Sequence, residues 1–156
     1  MDTLSTVSIS RHTTLQFTTR QPTEFIDLTD RLERLVAESG VRTGMLVVQT
    51  LHTTMAVIVN EHERRLLVDF QSLLERIAPD DGSYLHDAPE RMRTLPPTER
   101  ENGHAHCRAL LLPASVTLTI IDGRLRLGRW QRVFLLELDG PQDRQVAALA
   151  IGEGRP

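Results

Sequence analysis

Histidines are the residues whose type and spacing most clearly suggest chemistry in this sequence. The chain has six of them, and histidine is the side chain whose ordinary pKa lies near neutral pH. His104 and His106 flank one alanine at the start of a predicted strand, 104–112, where alternate side chains face the same way. Two histidines about 6.7 Å apart on a strand can bind one metal ion. A His-x-His pair is also common on protein surfaces, so the pair alone does not decide between the two.

Two further histidines lie where they could join this pair. His86 lies in a long segment without clear periodicity, 78–103, and His52 ends an apolar strand. Both are expected at the mouth of the same sheet. Neutral imidazoles suit zinc, and an open fourth position would bind water or substrate. His12 and His62 have no such context, so we expect them at the surface.

Carboxylates near the histidines offer supporting roles. Glu61 follows Asn60 at a predicted helix start, where it either stabilises the helix dipole or serves as a general base for a metal-bound water. Asp87, or Glu61 in a different role, would orient a histidine ligand from behind. Asp69 is either solvated or turned inward toward an arginine.

The composition excludes several other chemistries. All 18 basic residues are arginine, which excludes a lysine Schiff base and a P-loop lysine. Cys107 is the single cysteine, so no intrachain disulfide or cysteine metal cluster can form. The formal charge of −3 argues against a broadly basic surface for nucleic acid.

The sequence also indicates where the protein works. It begins without the basic and then apolar pattern of a signal peptide. No stretch approaches the roughly 18 apolar residues that a membrane-spanning helix needs. We therefore expect a cytoplasmic protein with no membrane partner.

Periodicity predicts helices in the first half and strands in the second. Residues 24–38 and a segment from an N-cap at Asn60, with Glu63 completing a capping box, to about Ile77 have helical spacing. The predicted strands are 4–19 (as one bent or two short strands), 44–51, 55–59, 104–112, 115–121, 124–128, 130–138 and 143–151. This pattern predicts one α+β domain over 1–156, mainly an antiparallel β-sandwich or curved sheet covered by two helices. Trp130 is expected to pack in the core.

Two segments resemble the signature of the YjbQ-like family. They are 115–123 (SVTLTIIDG) and 128–133 (GRWQRV). Shorter matches elsewhere in the chain occur in the same order as in the family, and the resemblance extends to about Val146. These matches are 52–54, 60–61, Asp69, 84–87, 105–106 and 137–141.

The resemblance implies a YjbQ-like fold, a homotrimer and a pocket that holds a divalent metal, with zinc favoured. It implies His52, His86 and His106 as metal ligands, whereas His104 matches only some members. The catalytic candidates are Asn60, Glu61 and Asp69, and the substrate-binding candidates are Ser115, Arg129, Trp130 and Gln131.

Two positions depart from the family pattern. Arg129 stands where the family usually has threonine, and it would block the pocket, add a phosphate-binding cation or extend into solvent. Gln142 stands where the family often has arginine. If an anion site uses that arginine, Arg129 or Arg144 would have to replace it.

Three functions follow from the residues and the resemblance. The first is a metal-dependent enzyme of the thiamine-phosphate-synthase type, which joins a thiazole phosphate to a pyrimidine diphosphate and releases pyrophosphate. The second is zinc-assisted hydrolysis of a small ester or phosphate, in which the metal lowers the pKa of its water to about 7. The third is a non-catalytic metal-binding or ligand-binding trimer. In the two enzymatic readings the partner is a small molecule, and in the first it is phosphorylated.

Overall fold

The structure is a computed structural model, and it describes residues 6–154. Two residues of the predicted 4–19 strand segment, 4 and 5, lie outside the described residues. The strands are β1 (Val7–Thr18), β2 (Glu24–Asp27), β3 (Val41–Thr50), β4 (Met55–Glu61), β5 (Ser115–Ile121), β6 (Arg124–Leu125), β7 (Gln131–Glu137) and β8 (Asp143–Gly154). The α-helices are α1 (Thr29–Ser39), α2 (Arg64–Ile77), α3 (Pro89–Met92) and α4 (Gly103–Leu110), and a short 3-10 helix spans Leu85–Asp87.

The strands form two antiparallel sheets that share a core. One sheet has the order β1-β8-β3-β5-β6 and the other the order β2-β7-β4. Alternate side chains of each sheet point toward the other, for example Leu46 and Val48 from β3 and Val133 and Leu135 from β7. Helix α1 adds Leu32 and other apolar side chains to this core.

A second, smaller core lies on the opposite face of the three-stranded sheet. Ala56 and Leu136 point away from the first core and pack with Leu74 of α2 and Ala105 of α4. The alternation along β4 and β7 therefore serves two cores, which explains why both strands are almost continuously apolar. These layers confirm the predicted α+β sandwich with covering helices.

The predicted helix 24–38 is wrong over its first residues. Residues Glu24–Asp27 form β2, which pairs with β7, and the helix begins only at Thr29. Phe25 packs edge-on against Phe134 of β7, and the Asp27 carboxylate accepts a hydrogen bond from the Thr29 backbone N–H at 2.9 Å. The neighbouring strand thus overrides a local spacing that also suits a helix.

Helix α2 begins at Arg64 rather than at Asn60, so the predicted capping box is wrong. Glu63 is the N-cap, and its carboxylate accepts hydrogen bonds from the backbone N–H groups of Arg65 and Leu66. Asn60 and Glu61 instead extend β4, where they pair with β7.

The predicted strand 104–112 is wrong as well, because α4 occupies Gly103–Leu110. Its alanines at helical spacing, Ala105 and Ala109, pack toward the second core. The helix is anchored by Arg108, which is buried and donates hydrogen bonds to the Ala78 carbonyl and the Glu75 carboxylate. A Cβ on Gly103 would collide with the Tyr84 side chain, so the helix start requires glycine.

The remaining helices, α3 and the 3-10 helix, are short. No helix within residues 6–154 is long and apolar enough to cross a membrane.

Candidate functional site

A polar cavity of about 500 Å³ lies where the β3–β4 and β7–β8 turns approach the segment between α2 and α4. We call it the histidine cavity. It is lined mainly by polar side chains, among them His52, Thr53, Thr54, His86, Arg91, Glu99, Arg100, Asn102, His106, Asp139, Gln142 and Arg144. All three histidines that the resemblance places in one pocket therefore meet in this cavity.

His86 and His106 are the closest pair among them. Their ring centroids lie 4.6 Å apart at an interplanar angle of 59°. Burial lowers the pKa of His106, and the charge of His86 lowers it further. The geometry therefore favours an unprotonated His106, whose ring can accept a proton or bind a metal.

Backbone contacts hold the elements that carry these two rings. The Asp87 carboxylate accepts hydrogen bonds from the backbone N–H groups of Asn102 and Gly103 at the start of α4. Arg91 donates a hydrogen bond to the His86 carbonyl at 2.7 Å. Asp87 was expected to orient a histidine directly, and it acts here on the helix that carries His106.

His104 and His106 do not face the same way, which corrects the prediction made for a strand. Residues two apart on an α-helix point to nearly opposite sides. The His104 Nε2 atom lies 3.6 Å from an Asp80 carboxylate oxygen, and its ring centroid lies 6.4 Å from that of Tyr84. His106 reaches the cavity because of helical rather than strand geometry.

His52 lies in the turn between β3 and β4, and a hydrogen bond to one of its ring nitrogens holds it. Its Nε2 atom accepts a hydrogen bond from the Gln145 backbone N–H at 2.9 Å. Its Nδ1 atom lies 3.5 Å from the NH1 atom of Arg144. Burial lowers the pKa of His52, and the Arg144 charge lowers it further.

A buried ion pair between Glu137 and Arg144 supports this wall of the cavity. The guanidinium donates from Nε to one Glu137 oxygen at 2.7 Å and from NH2 to the other at 2.6 Å. Thr19 and two backbone N–H groups also donate to the carboxylate. Burial raises the pKa of Glu137, but the hydrogen bonds from Arg144 and the Asp139 backbone outweigh it, and the net pKa lies below its ordinary value.

Gln142, the second departure from the family pattern, also lines the histidine cavity. Its side-chain amide donates to the Asp139 carboxylate at 2.9 Å. Asn102 donates to the same oxygen, and the Arg100 Nε atom lies 3.6 Å from the other. The Asp139 carboxylate is thus already paired with other side chains in the wall of the cavity.

The fit to a metal ion is incomplete. Within residues 6–154, no three His, Cys, Asp or Glu side chains are arranged to hold one. His86 and His106 provide two adjacent imidazoles, whereas the Nε2 lone pair of His52 is occupied by the Gln145 amide.

Several of the other predicted site residues lie around a second cavity, also of about 500 Å³. Glu61, Arg129 and Trp130 line it together with Asp27 and other side chains. Trp130 is 61% exposed, so the prediction that it packs in the core is wrong. Arg129 neither enters the histidine cavity nor extends freely, because its guanidinium stacks 4.7 Å from the Trp130 ring.

The remaining candidates are dispersed. Asn60 lines an apolar groove beside α2, and Asp69 is exposed on α2. Ser115 is exposed at the start of β5, and Gln131 accepts a hydrogen bond from the Gly128 backbone N–H at 2.8 Å. His12 and His62 are exposed as expected, although His62 lies 2.8 Å from an Asp27 carboxylate oxygen.

Sequence reasoning did not place Arg91, Arg100 or Asn102 at the site. They lie in the segment without clear periodicity, 78–103, which gives no signal of where its side chains point. Glu137 did carry a signal, since it is a charged residue within the apolar run 133–138. A charge inside a buried strand requires a buried partner, which is here Arg144.

The chain is similar in sequence to proteins of one known family. The family model described as UPF0047 protein YjbQ-like matches residues 13–153. A UPF0047 protein of Methanothermobacter thermautotrophicus is 38% identical over 139 residues, covering 89% of this chain and 90% of the relative. One from Archaeoglobus fulgidus is 39% identical over 137 residues, covering 88% of this chain and 98% of the relative.

Solved structures show the same similarity. A YbjQ-like protein of unknown function from Sulfolobus solfataricus has a TM-score of 0.83 at 29% identity, covering 94% of this chain and 99% of the other. An uncharacterised yjbq/upf0047 family protein from Clostridium acetobutylicum has a TM-score of 0.77 at 33% identity, covering 90% and 99%.

Proposed function

Because the chain belongs to the YjbQ-like UPF0047 family, we propose that it is an enzyme acting on a small phosphorylated molecule in the histidine cavity. The observation that carries the proposal is the composition of this cavity. It gathers three histidines and the three arginines Arg91, Arg100 and Arg144 around about 500 Å³ of space. Such a volume suits a small molecule, and guanidinium groups suit phosphate oxygens.

The proposed reaction is of the thiamine-phosphate-synthase type. Joining a thiazole phosphate to a pyrimidine diphosphate releases pyrophosphate, so negative charge must be stabilised on the leaving group. Arg91 and Arg100 would supply positive charge from the segment between α2 and α4, and Arg144 would supply it from β8. The thiazole nitrogen forms its bond to the pyrimidine methylene carbon as the bond to pyrophosphate breaks, so this substitution releases no proton. The lowered pKa of His106 would keep its ring unprotonated and able to bind a cation beside the leaving pyrophosphate.

We also propose a divalent metal, with zinc favoured, at His86 and His106. Two imidazoles suit zinc, and the remaining ligands would come from water, substrate or a second copy of the chain. A bound metal would supply positive charge that stabilises phosphate oxygens. The homotrimer implied by the family resemblance belongs to this proposal, and light scattering on the purified protein tests it.

The test of function uses a strain that lacks its own thiamine-phosphate synthase. Expression of the wild-type chain should restore growth without thiamine, whereas His86→Ala and His106→Ala should not. His12→Ala is the matched control, since His12 is exposed on β1 and does not line the cavity. Failure of the wild type despite high expression, together with no thiamine phosphate formed by the purified protein, would exclude this reaction.

Hydrolysis of a phosphate ester is the second candidate. It is favoured by the lowered pKa of His106, because an unprotonated imidazole beside a bound phosphate can accept a proton from water. In this reaction His106 would act as the base instead of binding a metal. A panel of phosphomonoesters tests it. Turnover that persists in His106→Ala would exclude His106 as the base.

A further inference from the structure

We propose that Arg144 and His52 form a phosphate-binding subsite in the histidine cavity, with one phosphate oxygen accepting hydrogen bonds from Arg144 NH1 and His52 Nδ1. The inference deepens the proposed function and rests on it, because both use the same cavity. It assigns a specific pair of donor atoms to the anionic part of the substrate.

Hydrogen bonds fix the guanidinium of Arg144 in the wall of the cavity. Its Nε and NH2 atoms donate to the two oxygens of Glu137, and NH2 also donates to the Thr54 hydroxyl at 3.0 Å. The side chain is 5% exposed, and the residue lines the cavity. Among the described residues, the hydrogen-bond contact of NH1 is with His52 Nδ1, at 3.5 Å. Arg144 is therefore a rigid, buried cation whose NH1 atom is the one not bound to Glu137 or Thr54.

The hydrogen bond from the Gln145 backbone determines the tautomer of His52. A backbone N–H can only donate, so the hydrogen bond from Gln145 places the lone pair of the ring on Nε2. The proton of the neutral ring is then on Nδ1, which points toward Arg144 NH1. Two donors face each other at 3.5 Å without an acceptor between them. An oxygen that accepts from both would satisfy each of them.

The donors in the cavity indicate the class of ligand. A negatively charged oxygen is the acceptor that a guanidinium and an imidazole N–H bind best. Arg91 and Arg100 line the same cavity. Arg91 donates from NH1 to the His86 carbonyl and Arg100 donates from NH1 and NH2 to the Pro141 and Gly140 carbonyls, so it is their remaining N–H groups that can donate to further oxygens of one anion. Asp139, the buried carboxylate of this lining, already accepts from Asn102 and Gln142. Phosphate, which has more oxygens than a carboxylate, matches this excess of donors.

Calorimetric titration of inorganic phosphate tests the subsite directly. The wild type should bind one phosphate per chain, and Arg144→Lys should weaken binding at least about tenfold, because an ammonium still pairs with Glu137 but has no NH1. Arg132→Lys is the matched control, since Arg132 also donates to carboxylates through Nε and NH2 but faces the second cavity. Its phosphate affinity should equal that of the wild type.

Several results of this titration would overturn the inference. One is that the wild type does not bind phosphate, and another is that the two variants lose phosphate affinity equally. A third is that acetate, and not phosphate, binds in an Arg144-dependent way. The titration needs no turnover, so it separates the two proposals. Phosphate binding without any enzymatic activity would defeat the proposed function only, and activity without Arg144-dependent binding would defeat the subsite only.

A measurement on the wild type covers the case in which Arg144→Lys does not fold. Long-range ¹H–¹⁵N NMR spectra of the histidine rings distinguish the two neutral tautomers, and the His52 signals are those absent from His52→Asn. We expect the tautomer with the proton on Nδ1, and a shift of that nitrogen when phosphate is added. The opposite tautomer, or His52 signals that phosphate does not move, would contradict the proposal.

Discussion

Replacing Glu137 by glutamine should destabilise the protein strongly. The Glu137 carboxylate is fully buried and accepts five hydrogen bonds, of which two come from Arg144. Glutamine keeps one oxygen acceptor but turns an N–H₂ group toward donors. Arg144 then remains as a buried charge without its counterion.

The magnitude follows from the burial of both partners. Removing one member of a buried ion pair costs about 3–5 kcal/mol. With a urea m-value of about 2 kcal/mol/M, the unfolding midpoint should fall by about 1.5–2.5 M. Urea unfolding followed by circular dichroism, at matched protein concentration, measures this shift.

Two further variants separate the ion pair from other effects. Glu38→Gln makes the same chemical change at an exposed position of α1 and should cost less than about 0.5 kcal/mol. The double variant Glu137→Gln/Arg144→Met removes the stranded charge and should be more stable than Glu137→Gln alone. A loss below about 1 kcal/mol in Glu137→Gln, or a double variant less stable than the single, would refute the reasoning.

Three other predictions follow from the same contacts. The folded-state pKa of Glu137 is lowered, so its stabilisation is present above the unfolded pKa of about 4.3 and is lost as the pH falls through the folded pKa. As the pH is lowered, the free energy of unfolding should therefore fall more steeply in the wild type than in Glu137→Gln. Urea unfolding at a series of pH values measures this, and an equal dependence on pH in the two proteins would contradict the prediction. Asp87→Ala should lower the free energy of unfolding by about 1–2 kcal/mol, because it removes the carboxylate that accepts the backbone N–H groups at the start of α4. Asp81→Ala, at an exposed position, should lower it little, and equal losses in the two variants would contradict this role of Asp87. Trp130, the only tryptophan, should be quenched readily by acrylamide and remain unaffected by phosphate, and a protected indole would disprove its exposed position.

The sequence predicted the sandwich well because alternation of apolar residues is a strong signal. The strands at 44–51, 55–59, 115–121 and 143–151 correspond to β3, β4, β5 and β8. The errors occur where local spacing suits two structures. Phe25 and Leu28 have helical spacing, yet Phe25 belongs to a strand because β7 offers it a partner.

The histidines show that residues can meet as predicted although the predicted element is wrong. His106 was expected in the cavity because it would share a strand face with His104, whereas it reaches the cavity from a helix that sends His104 elsewhere. Ala105 and Ala109 pack inward at helical spacing, but a segment of eight residues is too short for periodicity to distinguish helix from strand.

The sequence could not show that the predicted residues divide between two cavities. Glu61 and Trp130 are distant in sequence, and they share a cavity because β4 pairs with β7. His52 meets Arg144 because the β3–β4 turn lies against the start of β8. Such contacts depend on the register between strands, which one sequence does not reveal.

A crystal structure of the protein with a bound thiazole phosphate tests the central claim most directly. We predict the ligand in the histidine cavity, with a phosphate oxygen within hydrogen-bonding distance of Arg144 NH1 and His52 Nδ1. Ligand bound in the cavity of Arg129 and Trp130, with the histidine cavity holding only water, would contradict the account.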